Sequence, residues 1–113
     1  MAEYAIYFNQ QWVGDHTAEW FGTRGPLARA VLAEMVDAGV YVFGGGLDEE
    51  PENAFYADAT SGELIFGQGP YVNTAQFLGG LTIVNVDDDE AAKYWGGKVA
   101  EACGWPQEIR RIK

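Results

Sequence analysis

Two amphipathic helical stretches, each following an aromatic or β-branched run, and no internal repeat across 113 residues predict one α+β domain, residues 1–113, with an antiparallel sheet. The length suffices for a single modest core. Apolar residues make up 48% of the chain, too many for a disordered segment.

The first strand is E-Y-A-I-Y-F, Glu3 to Phe8. Polar residues dominate from there through Asp15 and His16. From Thr23 the sequence TRGPLARAVLAEMVDAG places Pro26 in a first helical turn and Gly39 just past a helix end. Between them Leu27, Val31, Met35 and Ala38 recur at helical spacing beside Leu32 and Val36, while Arg29, Ala33 and Asp37 mark the wetter side. Val40 to Phe43 is a second strand, ended by Gly44-Gly45-Gly46, and the acidic LDEEPEN after it is a loop. Ala54 to Ala59 and Glu63 to Phe66 flank Ser61-Gly62 and form an extra hairpin. Gly80 to Val86 is the next core strand. Asp87 opens a second helix in capping-box spacing with Glu90, and Ala92, Trp95, Val99 and Ala102 form its apolar stripe. Gly104 and Pro106 stop it, and Gln107 to Ile112 is the last strand.

One helix after the first strand and one after the central strand is the split β-α-β pattern of a ferredoxin-like sandwich. Both helices then cover the same face of the sheet. The strands, however, are apolar on both faces: Ala5 and Tyr7 alternate with Tyr4, Ile6 and Phe8, and Val42 alternates with Tyr41 and Phe43. Soluble monomers rarely leave such a patch bare. A second copy of the sheet is the expected cover, giving a two-fold homodimer, a dimeric α/β-barrel, with a cavity between the sheets.

Net charge is −10, from seventeen acids against seven bases, and only Arg110, Arg111 and Lys113 gather. Phosphate neutralisation needs clustered cations, so nucleic acid is not an expected partner. No apolar run approaches the roughly 20 residues of a membrane span, and MAEYAIYFNQ has neither the basic nor the apolar region of a secretory signal. The single Cys103 fits a reducing compartment, so a cytoplasmic location is expected. One histidine and one cysteine cannot build a zinc site, and Asp48, Glu49, Glu50 and Glu52 lack the alternating spacing of a calcium loop. The glycine triplet precedes an acidic loop and not a helix start, which argues against a phosphate cradle and for a bulge or close backbone approach. No metal or cofactor is expected.

His16, within DHTAEWFGTRG, is the one imidazole: a general base oriented by Asp15 or Glu19, or an idle loop histidine. Arg24 either clamps a carboxylate or enolate, or pairs with a surface acid. Trp12, Trp20 and Tyr71 lie in turn-rich segments and offer rings with polar tips to a planar organic ligand. The stretch GQGPYVNTAQFLGG, residues 67–80, has no acid, base or cysteine. Gln68 and Tyr71 there can position a ligand but cannot transfer its protons. Gly96-Gly97 costs the second helix roughly 2 kcal/mol relative to alanine, which points to close helix–sheet or subunit contact.

The turn Gln68-Gly69-Pro70-Tyr71, then Thr74, then Leu78-Gly79-Gly80 before a strand and an acidic helix start, resembles the DGPF branch of the YCII-related family. Cys103-Gly104-Trp105-Pro106 followed by a strand with Arg110 extends the likeness over nearly the whole chain. The resemblance implies a dimeric α/β-barrel of ferredoxin-like halves. Some relatives are thought to use a His–Asp pair in acid–base or lyase chemistry, and some DGPF-type domains are joined to regulatory proteins. The relatives' helix histidine corresponds to Ala28 here, and the branch's aspartate to Gln68. Three functions therefore stand: a cofactor-free enzyme of proton-transfer, isomerase or lyase type with His16 and Arg24 in its site, a non-catalytic ligand-binding or regulatory/interaction module, or a structural interaction domain whose cavity is filled by its own rings.

Overall fold

The strand β1 (Ala2–Asn9) lies inside the sheet, with a strand hydrogen-bonded along each edge. The computed structural model describes all residues, Met1–Lys113. A short 3-10 turn (Gln10–Val13) leads from β1 to helix α1 (Ala18–Asp37) and then β2 (Tyr41–Gly46). Another (Pro51–Asn53) precedes β3 (Phe55–Asp58) and β4 (Ile65–Gln68). The chain returns through β5 (Leu78–Val86), α2 (Asp89–Cys103) and β6 (Glu108–Arg111). The main sheet has the order β2-β5-β1-β6 with every neighbouring pair antiparallel, and β3 pairs only with β4. Helix α1 joins β1 to β2 across β5, and α2 joins β5 to β6 across β1. The fold is α+β, and this interleaving is compatible with a ferredoxin-like sandwich.

Both helices lie on the same face. Register places Tyr4 opposite Val84 and Ile6 opposite Thr82 and Ile109. Tyr4, Ile6, Val84 and Val86 meet Val31 and Met35 of α1 and Ala92 of α2 in one core, where Ile6 and Val84 have no exposed surface. The Tyr4 hydroxyl donates to Asp89 Oδ1 at 2.6 Å, tying β1 to the first turn of α2. Gly96 is buried in α2, and a methyl group there would run into the Ile109 side chain. That is the close helix–sheet contact its sequence implied. Gly97, by contrast, has nothing within 4 Å of where its Cβ would be, and nothing in the structure explains it.

The opposite face has no helix. Ala5 pairs with Ile83, Tyr7 with Leu81 and Phe43 with Ile83 on that side, and Phe43 is 59% exposed. The β3–β4 hairpin stands apart from the sheet. Tyr56 lies across Gly67 on one side, with Tyr71 edge-on to it at 5.2 Å. Phe55 and Phe66, 78% and 72% exposed, belong to the other side with Ala57. The result is a flat molecule of 46 × 39 × 18 Å. No helix is long and apolar enough to cross a membrane.

Element positions differ from the sequence expectation in instructive places. Helix α1 begins at Ala18, before Thr23, because the Thr17 side chain accepts from the Trp20 amide at 3.1 Å and caps the first turn. Pro26 is therefore inside the helix and not at its start. Strand β2 continues through Gly44-Gly45-Gly46, which pair with Thr82, Leu81 and Gly80. The triplet is sheet, and the register shift falls earlier, between Tyr41 and Phe43. Helix α2 is capped by Asp88, which accepts from the Ala91 amide at 2.9 Å, one residue after the expected cap.

Candidate functional site

A cleft of about 470 Å³ opens on the helix-covered face between α1, the C-terminal end of α2 and the sheet. Missing side chains create it. From α1 the wall is Gly25 and Ala28, and beneath them the floor is the glycine backbone of β2. Gly46 pairs with Gly80, which also pairs with Phe8, so a side chain at Gly46 would project toward the helices. Nothing but the Gly79 carbonyl, at 3.9 Å, lies near that direction.

Phe8 packs against Gly79 and Gly80, whose Cβ atoms would fall 2.7 and 2.9 Å from its ring. Trp105 closes this end with its ring 5.2 Å from that of Phe8, held by an indole N–H donated to the Gln10 carbonyl at 3.1 Å. Deeper in, Ile6, Val31 and Met35 form the apolar base. The polar members of the lining are Arg29, Tyr41, Thr82, Cys103 and Gln107. Gln107 donates its amide to Cys103 Sγ at 3.3 Å and to the Trp105 carbonyl at 3.1 Å. Burial, outweighing these hydrogen bonds, pushes the Cys103 thiol above its ordinary value, so it presents a neutral S–H and not a thiolate. No carboxylate and no imidazole lines the cleft. Such a site can bind and orient a molecule; it holds no acid–base pair of the usual kind.

The six residues singled out by sequence fall into three places, none of them in this lining. His16 stacks on Trp20 with centroids 3.6 Å apart and planes at 11°, and its Nε2 donates to the Val13 carbonyl at 3.0 Å. Arg24 lies over the same indole at 4.8 Å, so His16, Trp20 and Arg24 do come together. Phe21 meets Trp20 edge-on at 5.1 Å and lies 5.8 Å from Trp105, so an aromatic seam connects this group to the end of the cleft. Trp12 is separate, donating to Gln76 Oε1 at 3.3 Å. Gln68 and Tyr71 belong to the hairpin: Gln68 donates to the Glu52 and Ala54 carbonyls, and the Tyr71 hydroxyl reaches Asp58 Oδ2 at 3.3 Å. Gln68 also borders a polar hollow of about 380 Å³ with Glu52, Gly69 and Asn73.

Phe8, Arg29, Gln107 and Trp105 were not singled out by sequence as a site. One signal was present: small residues on two elements that must face each other, Gly25 and Ala28 on a helix and Gly44-Gly45-Gly46 on the next strand. No cluster of three or more His, Cys, Asp or Glu side chains is placed to hold a metal ion. Neither a protein-family model nor a curated protein sequence matches the chain.

Proposed function

We propose that this chain is a small-ligand-binding module: one half of a homodimeric α/β-barrel of ferredoxin-like subunits, related to the DGPF branch of the YCII family, which holds a small organic molecule in the cleft under α1. The observation that carries this reading is the cleft itself. At about 470 Å³ it falls in the range of small-molecule sites, with mostly apolar walls, a few polar groups and no carboxylate or imidazole. The bare sheet face with Phe43 supports pairing of two subunits. The QGPY turn and the following Leu78-Gly79-Gly80 support the family, and the lone Cys103 supports a cytoplasmic setting.

The test is fluorescence of the neutral dye N-phenyl-1-naphthylamine added to the wild-type chain and to Gly46→Leu. Enhancement with the wild-type chain and none with the variant, at unchanged circular dichroism, is expected. Equal enhancement in both removes the cleft as the site. Sedimentation at micromolar concentration should give a two-subunit species; a single subunit sinks the dimer.

A second reading, proton-transfer, isomerase or lyase chemistry, draws on the gathering of His16, Trp20 and Arg24. Its measure is loss of turnover in His16→Ala.

A further inference from the structure

We infer that the molecule held in this cleft is an organic anion: a flat apolar ring system bearing one carboxylate, the ring on the glycine floor beside Phe8 and Trp105, the carboxylate on Arg29. The inference rests on the reading of the cleft as a binding site and adds the class of ligand.

Arg29 carries the charge argument. It lies at the cleft with its guanidinium folded back along α1, where Nη1 is 3.2 Å from the position a Gly25 Cβ would take. A helical side chain leans toward the preceding turn, and glycine at that turn leaves the head room to do so. Its charge has no partner. The two ion pairs of the chain are Lys93–Glu90 and Lys98–Glu34. Arg29 is exposed, and with no acid taking up its guanidinium the head is free to meet an anion at the cleft. The lining contains no Asp or Glu that would repel an anion or attract a cation. A guanidinium presents paired donors in the fork that a carboxylate matches.

The shape of the cleft points to a ring on separate grounds. Gly45 and Gly46 offer a floor of backbone without side chains, to which a flat body can approach closely, while the Tyr41 and Thr82 hydroxyls lie beside Gly44. The rings of Phe8 and Trp105, inclined at 44° to each other, bound one end. Rings favour offset or edge contacts with other rings, so a ring system fits that end better than a flexible chain.

Naphthalene-2-carboxylate and naphthalene-2-carboxamide share a ring and nearly a shape and differ in charge, so calorimetric titration of the full chain at neutral pH separates the two arguments. The carboxylate should bind at least about tenfold more tightly than the amide. Arg29→Gln should remove that preference and leave the amide within about twofold of its wild-type affinity. Gly46→Leu should abolish both. Equal affinities in the wild-type chain, or a preference that survives Arg29→Gln, overturn the anion while Gly46→Leu still marks the cleft as the site. Binding of either ring that Gly46→Leu leaves intact, or no binding of either ring, overturns the cleft and the anion together.

Discussion

Gly96 and Gly97 sit side by side in α2 and meet opposite surroundings, which makes their alanine variants a measurement of how α2 rests on the sheet. A methyl at Gly96 would collide with the tip of Ile109, with Ile109 Cγ1 at 3.0 Å and Ile6 Cγ2 at 4.0 Å behind it. At Gly97 the space is open to 4 Å. Both substitutions gain the same helix propensity, about 1 kcal/mol. Gly97→Ala should therefore stabilise the chain by about that amount. In Gly96→Ala the gain is opposed by overpacking of about 1–3 kcal/mol. The propensity term cancels in the comparison, so Gly97→Ala should exceed Gly96→Ala by about 1–3 kcal/mol. For a domain of this size the gap is about 4 °C or more in melting temperature, read by far-ultraviolet circular dichroism at one protein concentration. If the two variants moved together, or if Gly96→Ala were the more stable, α2 would not be seated on β6 through this glycine.

Thr17→Ala removes the side-chain oxygen that accepts from the Trp20 amide and should cost about 1 kcal/mol, seen as a fall of a few degrees in the same melting experiment. Asp58 is held below its ordinary value first by the Thr60 amide and then by the Thr60 hydroxyl, with Tyr71 also donating. Its folded-state value lies below the unfolded one, so the stability it contributes is present above about pH 4 and is lost as pH falls through that region. Asp58→Asn should flatten the acid limb of a stability–pH curve. Tyr4 runs the other way: its hydrogen bond to Asp89 raises the phenol, so its contribution is present below about pH 10 and is lost as pH rises beyond. Tyr4→Phe should flatten the alkaline limb. His16→Ala should leave naphthalene-2-carboxylate affinity within about twofold, because the imidazole stacks on Trp20 outside the cleft; a tenfold loss would move the site to that stack.

The architecture was legible because alternation in EYAIYF and the periodic apolar positions of both helices report burial directly. Helix ends were less so. Pro26 reads as a first-turn residue, yet the cap at Thr17 starts α1 at Ala18 and leaves the proline inside the helix. Leu27, expected on the buried stripe with Val31 and Met35, is 45% exposed. Periodicity says which side of a helix is apolar, not how closely each turn approaches the sheet. The cleft was hidden for the same reason. It lies between the Gly25–Ala28 turn of α1 and the glycines of β2, and small residues there fit close packing of helix on strand as well as a gap. The conspicuous residues lie elsewhere: Trp20 packs among His16, Phe21, Arg24 and Gly104, and Tyr71 turns back on its own hairpin.

The hairpin has a consequence of its own. A ribbon of two strands has a free rim on each strand, and every backbone group along those rims can accept a further strand. Here the rims border a side bearing Phe55 and Phe66, while the deterrent to stacking is the negative charge of Glu52, Asp58 and Glu63 nearby. Acidification that protonates these carboxylates withdraws the deterrent as it loosens the Asp58 turn. Association beyond the proposed dimer in acid should therefore begin rim to rim through β3 and β4, before the main sheet comes apart.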